Sequence, residues 1–481
     1  MRHRLLKWLG WSSIDAIGRI AMLAASTAVL SRCLSPRDFG VAALALTVVT
    51  LASVVVGAPF EEALAQRKVL RLAHLRAALS ASWLASLACL LLSLPLGVAM
   101  AHAYDEPQFV WALPLGMASI FFSGHSDILT GLIRRRRRFD DLARATLFGN
   151  AIGIAASVVI ALSGAGVFAL VGQRLLVCAA RAVLLQARMD IVIWPSRSIG
   201  HLRDLARYGG LALVDRMMDN LTFLAFNTIV GGVYGLNTLG FLNMAMRLVE
   251  PIRGAIGATV HNIAFSFFSP LQHDPARLRD RADAVISYAS LAIAPVFIGL
   301  AAVTPTLLPL IAGAGWDQSI EIAICLAIGS AIALPARLVF TALSARARPE
   351  YSVIANVAGA LVTIAVVVAS VGLGPSGVGM ARVAGDLAQA LIALGVSSRL
   401  LGWSRRGRLL ALAPAWLLAA LMGVLVAGLQ NAMPNIGRLP QVAAQIGAGV
   451  AIYGLFLALF ARSQLSGVAS LMHGAGKAAE T

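Results

Sequence analysis

The sequence predicts an all-α polytopic membrane protein of about fourteen transmembrane helices, and three observations carry that expectation. Apolar runs of about 20 residues recur along the chain, each long enough to cross a bilayer as a helix. The segments between them alternate between arginine-rich and nearly charge-free, the pattern left when Lys and Arg of short loops stay cytoplasmic. The 481 residues are 59% hydrophobic and 13% charged with 44 Gly, which suits helices packed in lipid and leaves no room for a large soluble domain. The net charge of +17 sits in loops on one side of the apolar runs rather than on a continuous polar face, so it reports orientation and not nucleic-acid binding.

The predicted spans run roughly 12–33, 38–60, 77–102, 109–133, 142–162, 166–188, 208–231, 238–268, 284–311, 318–342, 351–373, 377–400, 409–429 and 439–461. With the N-terminus inside, the cytoplasmic segments hold Arg2, Arg4 and Lys7; Arg67, Lys68, Arg71 and Arg76; the run Arg134, Arg135, Arg136, Arg137 and Arg138; Arg188, Arg197, Arg203 and Arg207; Arg277, Arg279 and Arg281; Arg346 and Arg348; Arg399, Arg405, Arg406 and Arg408; and Arg462 and Lys477. The outer segments hold only Arg32, Arg37 and Arg438, so both termini are expected in the cytoplasm. The start resembles a signal peptide, but Asp15 and Arg19 interrupt its apolar stretch and no clear cleavage site follows, which predicts a retained first helix. Cys33, Cys89, Cys178 and Cys325 lie far apart without CxxC spacing and are expected as buried thiols.

Laid over itself with an offset of 200, the chain superposes Asp15 on Asp215, Ala25 on Ala225, Gly40 on Gly240 and Ala45 on Ala245. The same offset brings the first span onto the seventh. Two parallel six-helix lobes follow, related by an axis along the membrane normal: residues 1–188, then a basic cytoplasmic linker 189–207, then 208–402. Residues 403–481 add two helices and a short cytoplasmic tail, and a cleft between lobes is where such architectures carry substrate. Ser35-Pro36-Arg37-Asp38 reads as a capping box with Pro at the first helical position, and Asn237 as a cap for the eighth helix.

Leu34-Ser35-Pro36-Arg37-Asp38-Phe39-Gly40-Val41-Ala42-Ala43, Ala63-Leu64-Ala65-Gln66-Arg67, the arginine run ending Arg138-Phe139, Leu239-Gly240-Phe241 and Ala245-Met246-Arg247-Leu248 with Pro251 together resemble the polysaccharide transporters of the multidrug/oligosaccharidyl-lipid/polysaccharide exporter superfamily, over roughly residues 5–400. That resemblance implies a V-shaped cavity between two lobes and turnover of a lipid-linked oligosaccharide from the cytoplasmic to the outer leaflet. The chain departs from the family pattern at Gly57-Ala58-Pro59-Phe60-Glu61-Glu62 and at Phe265-Ser266-Phe267-Phe268.

A flippase of polyprenyl-diphosphate-linked sugar needs cations for phosphate and polar groups for the glycan. Charges inside spans cost about 2.5–3.5 kcal/mol each on insertion scales, so they call for a reason. Arg247, about 15 Å into the eighth helix, is the first candidate for a diphosphate contact; its bland alternative is a pair with Glu250. Arg253 shares that ambiguity, and Pro251 is expected to kink the helix. Arg174 and Arg181, seven apart on one face, are further substrate candidates, with snorkelling the alternative for Arg181. Asp215, Asp219 and Glu250 are candidates for coupling to H+ or Na+, with neutralisation by Arg216 or Arg247 the alternative for the aspartates. Asp15 is expected to pair with Arg19, and Arg382 with Asp386 four residues on. Arg134 to Arg138 are assigned to topology and lipid headgroups. His125 and Asp127 lie on different faces and do not suggest a metal, and no catalytic signature is present, so neither a cofactor nor an enzyme is expected.

The expected function is therefore a monomeric flippase of polyprenyl-diphosphate-linked oligosaccharide in the bacterial cytoplasmic membrane, working by alternating access for exopolysaccharide, lipopolysaccharide or capsule assembly. Its expected partners are membrane lipids and the polysaccharide polymerase and export machinery. A cation-coupled small-molecule efflux carrier and a peptidoglycan-precursor flippase are the alternatives.

Overall fold

The computed structural model describes residues 2–57, 64, 71–136, 138–189, 217, 220–346, 348, 350–400, 402, 404–433 and 437–460. Among them are fourteen helices: α1 (Arg2–Cys33), α2 (Pro36–Val56), α3 (Leu72–Tyr104), α4 (Phe109–Arg135), α5 (Phe139–Leu162), α6 (Val167–Ala187), α7 (Asn220–Val233), α8 (Leu236–Phe268), α9 (Pro275–Ala312), α10 (Gln318–Ala345), α11 (Glu350–Ala369), α12 (Pro375–Leu400), α13 (Arg405–Ala432) and α14 (Arg438–Phe460). Ten of these are long and apolar enough to cross a membrane by length and composition; the other four are α1, α4, α7 and α8. The last of those carries Arg247, Glu250 and Arg253, so a helix that builds the site fails a test of apolarity.

The helix ends follow from local chemistry. Ahead of α2, the Ser35 Oγ accepts from the Asp38 N–H at 3.2 Å while the Ser35 N–H donates to Asp38 Oδ2 at 2.9 Å, the reciprocal box the sequence predicts, with Pro36 at the first helical position. Ahead of α9, Asp274 Oδ1 accepts from the Arg277 N–H at 3.0 Å. Asn237 does not cap: α8 begins at Leu236 and places Asn237 in its first turn, directly after Gly235 at φ 85°. The helix runs on through Pro251. Cys33 is exposed and the other three cysteines are only partly buried, so the expectation of buried thiols fails because these positions do not face a core.

The chain divides into two compact units, residues 1–244 and 245–481, with the division inside α8. The basic linker expected at 189–207 lies, beyond Met189, outside the described residues. Within the first unit α3 packs on α4, and α6 on both α4 and α5. Within the second, α9 packs on α10, and α12 on both α10 and α11, the same pattern six helices later. Helices α13 and α14 add to α9 through Met422, Val426, Val442 and Tyr453. Leu84, Leu92, Trp111, Val159, Val183, Val424 and Val450 are exposed, as side chains facing hydrocarbon are.

One contact in the first unit is reciprocal. A Cβ on Gly40 of α2 would lie 1.9 Å from the Leu236 carbonyl oxygen, and one on Gly240 would lie 1.8 Å from that of Pro36. Both residue pairs are related by the offset of 200, so the two glycines that align in sequence let two backbones touch. Nearby, Arg37 Nε donates to Glu106 Oε2 at 2.7 Å and ties α2 to the turn after α3.

Candidate functional site

In the first unit, α6 carries Arg174 and Arg181 toward α2 and α4. Arg174 Nη1 donates to Thr50 Oγ1 at 3.2 Å, Nε to Ser119 Oγ at 3.4 Å and Nη2 to Ser53 Oγ at 3.5 Å. Arg181 Nη2 donates to Thr130 Oγ1 at 3.0 Å, while its buried Nε has no hydrogen-bond partner among the described residues. The predicted shared face is present, and Arg181 turns into the helix bundle instead of snorkelling. No carboxylate of the described residues lies in ion-pair range of Arg174, whose guanidinium is held by three hydroxyls, with Asp127 beyond them near Cys178 on the same face. The hydroxyls that face it are themselves secured to their helices, Thr50 to Leu46 O at 2.7 Å and Ser119 to Gly116 O at 2.6 Å. His125 Nε2 meets Gln186 Oε1 at 3.1 Å, an ordinary polar pair between α4 and α6.

In the second unit the charges pair across helices. Arg253, 5% exposed, donates from Nη2 to Asp386 Oδ1 at 2.9 Å and from Nη1 to Oδ2 at 3.4 Å, joining α8 to α12. Glu250 lies 3.8 Å from Arg253 and 3.7 Å from Arg382, again α8 to α12. Glu250 thus lies against Arg253, the alternative weighed for that arginine, and the expected pairing of Arg382 with Asp386 is corrected: each reaches α8, because the neighbouring helix offers a better-placed partner than the next turn. Asp386 reaches its position over Gly329 of α10, where a Cβ would lie 2.5 Å from its Oδ2.

These residues border a cavity of about 510 Å³ inside the second unit, walled by α8, α10, α11 and α12. Glu250, Arg253, Arg337 and Arg382 supply charge, and Asn262 and Asn356 supply amides. His261 Nδ1 pairs with Thr341 Oγ1 at 3.0 Å on the same wall. Gly254 has open space where a Cβ would go, which keeps the wall of α8 low. A second cavity of about 510 Å³, between α8, α9, α13 and α14, is lined by apolar side chains such as Pro295, Leu300, Met422, Ile446 and Val450.

Arg247 is partly buried on α8, has a partner of its own, and is not among the residues lining the polar cavity. Asp215, Arg216 and Asp219 lie outside the described residues, as do the side chain of Asp15 and all of Arg137. Arg134, Arg135 and Arg136 are exposed at the end of α4, and Arg138 Nε is bound to Asp141 Oδ2 at 2.6 Å. Sequence reasoning missed Arg337, His261, Asn262 and Asn356. For Arg337 the signal was there: it stands eight residues before the end of α10 in an otherwise apolar run.

A multi-pass helical protein that keeps arginines and a polar cavity within its spans has the construction of a membrane transporter. Residues 29–321 match the polysaccharide biosynthesis protein family, and the chain belongs to that family. It is 23% identical over 332 residues to the succinoglycan biosynthesis transport protein ExoT of Rhizobium meliloti, an alignment covering 68% of this chain and 66% of that relative. It is 20% identical over 356 residues to an uncharacterized membrane protein in the cps region of Klebsiella pneumoniae, covering 73% of each. Its fold is that of the lipid II flippase MurJ in an inward closed conformation, with a TM-score of 0.74 at 13% identity over 96% of this chain and 100% of that one. A multidrug resistance MATE family transporter of the MOP superfamily follows, with a TM-score of 0.59 at 16% identity over 84% and 99%. The family expected from the sequence is thus the one found, the all-helical fold class with it, and the protein is a multi-pass membrane protein.

Proposed function

We propose that the protein is a flippase that moves polyprenyl-diphosphate-linked oligosaccharide repeat units across the bacterial cytoplasmic membrane by alternating access, for assembly of a surface or secreted polysaccharide, with both termini in the cytoplasm. The observation that carries this is Arg174: a cation inside a span, solvated by three hydroxyls and by no carboxylate of the described residues, is prepared to receive an oxyanion. Arg181 stands two turns away on the same helix and extends the patch to the second phosphate. Three guanidinium groups in the polar cavity of the second unit, with amides and hydroxyls around them, suit a glycan headgroup. The apolar cavity against α13 and α14 suits a prenyl chain. The transport function named for ExoT supports the same substrate class. Arg247 is retained as a phosphate contact on α8. Glu250, held between two arginines, and Asp215 and Asp219 are the groups proposed to couple transport to H+ or Na+.

The test is leaflet accessibility of a fluorescent polyprenyl-diphosphate oligosaccharide in proteoliposomes. Wild type is expected to turn the lipid over and Arg174→Gln to lose that activity while still reconstituting. Wild type that leaves the lipid in place but drives gradient-dependent efflux of small cations would sink the flippase assignment in favour of the efflux carrier.

A further inference from the structure

The polar cavity of the second unit contains one guanidinium that the fold does not use. Arg253 is bound to Asp386, and Arg382 reaches Glu250. Arg337 lines the same cavity from α10, is exposed within it, and makes no side-chain hydrogen bond or ion pair with the described residues. Arg253 is offset by Asp386, which lies against it outside the cavity lining, and Arg382 by Glu250, so among the described residues the positive charge left over is that of Arg337. Around it stand groups of another kind: the amides of Asn262 and Asn356 and the hydroxyls of Ser344 and Ser352. Such groups donate and accept together, as sugar hydroxyls require.

We propose that Arg337 is a specificity residue for an acidic sugar, pairing with a carboxylate carried by the glycan while the surrounding amides and hydroxyls hold the ring. This rests on the flippase function proposed above and names the headgroup that it carries. A planar guanidinium binds carboxylate and phosphate alike through two parallel N–H···O bonds. The charge balance selects between them, since one uncompensated charge matches a singly ionised carboxylate, whereas a diphosphate would bring more negative charge than the cavity can neutralise with Glu250 and Asp386 already in place. The volume of about 510 Å³ lies within the range of small-ligand sites.

The proposal is tested by calorimetric binding to the intact, detergent-purified protein of three soluble probes: an acidic trisaccharide of two galactoses and one galacturonate, its neutral counterpart galactotriose, and inorganic diphosphate. None carries a lipid, so failure to flip a lipid-linked substrate and failure to select an acidic glycan are separate results. Wild type is expected to bind the acidic trisaccharide at least about tenfold more tightly than galactotriose. Arg337→Gln should remove that preference, Arg337→Lys should keep part of it, and Asn356→Ala should weaken both glycans by a similar factor. Equal affinity for the two glycans in wild type overturns the proposal, as does diphosphate binding that Arg337→Gln weakens more than Arg174→Gln does, or a preference that survives Arg337→Gln. If Arg337→Gln does not fold, the wild-type ratio and the Arg337→Lys variant still decide.

Discussion

Removing the carboxylate of Asp386 tests whether the pairing of α8 with α12 holds the second unit together. Arg253 and Asp386 are 5% and 4% exposed and share two hydrogen bonds, the shorter 2.9 Å. Asp386→Asn keeps the shape and removes the charge, stranding a buried guanidinium. Breaking one side of a buried pair costs about 3–5 kcal/mol. Glu250 recovers part of this, but at 3.8 Å and with its side chain 35% exposed it supplies what an exposed pair supplies, roughly 1 kcal/mol or less. A net loss of about 3 kcal/mol is therefore expected. Arg253→Met with Asp386→Leu removes both charges and replaces them with apolar volume, which is near neutral for buried pairs, so the double variant should be more stable than Asp386→Asn alone. Thermal unfolding of the detergent-purified protein reads both. A double variant whose loss equals or exceeds the sum of the losses of Arg253→Met alone and Asp386→Leu alone would show that the residues pack independently, and the reasoning from desolvated charge would be wrong.

Gly40→Ala and Gly240→Ala should each cost about 1–3 kcal/mol in the same thermal assay, because a carbonyl oxygen stands where the new Cβ must go. Gly254→Ala, with open space at that position, is the control; equal stability of all three refutes the backbone contact. Arg174→Gln should abolish flipping yet leave the melting temperature unchanged or raised, since it removes a charge that no carboxylate of the described residues pairs with; a clear fall in melting temperature would assign Arg174 to structure instead. Ser35→Ala should destabilise by about 0.5–2 kcal/mol through loss of the α2 cap, and Ser35→Asp should restore most of it, a pair of results that a merely exposed serine would not give.

What the sequence made legible was set by length. Spans are fixed by the thickness of hydrocarbon, so they are written locally. The offset of 200 was legible as well, though Gly40 over Gly240 looked like a slight match in so alanine-rich a chain. The structure gives the physical reason for both glycines: each has a carbonyl oxygen of the facing helix where a Cβ would be. Partner choice was not legible. Spacing along a helix reports only which residues of that helix are neighbours, and it favoured Arg382 with Asp386, whereas the ion pairs formed run to α8. Arg337 shows the same limit: a lone cation in the apolar run of α10 is visible in the sequence, but the helices and cavity it faces are not.

The two units therefore meet the same cost in opposite ways. Around Arg174 the first unit supplies hydroxyls, which stabilise a cation without cancelling it, so a charge remains for a ligand to neutralise. Around Arg253 the second unit supplies carboxylates, which cancel the charge and lock α8 to α12, and of the cavity's described arginines it leaves Arg337 open. A repeat that served stability alone would have no cause to differ in this respect between its halves. The function proposed above gives the difference a use in each unit taken by itself: Arg174 is the arginine proposed to receive phosphate, and Arg337 the cation proposed to select what enters a cavity whose other arginines are held in place by carboxylates.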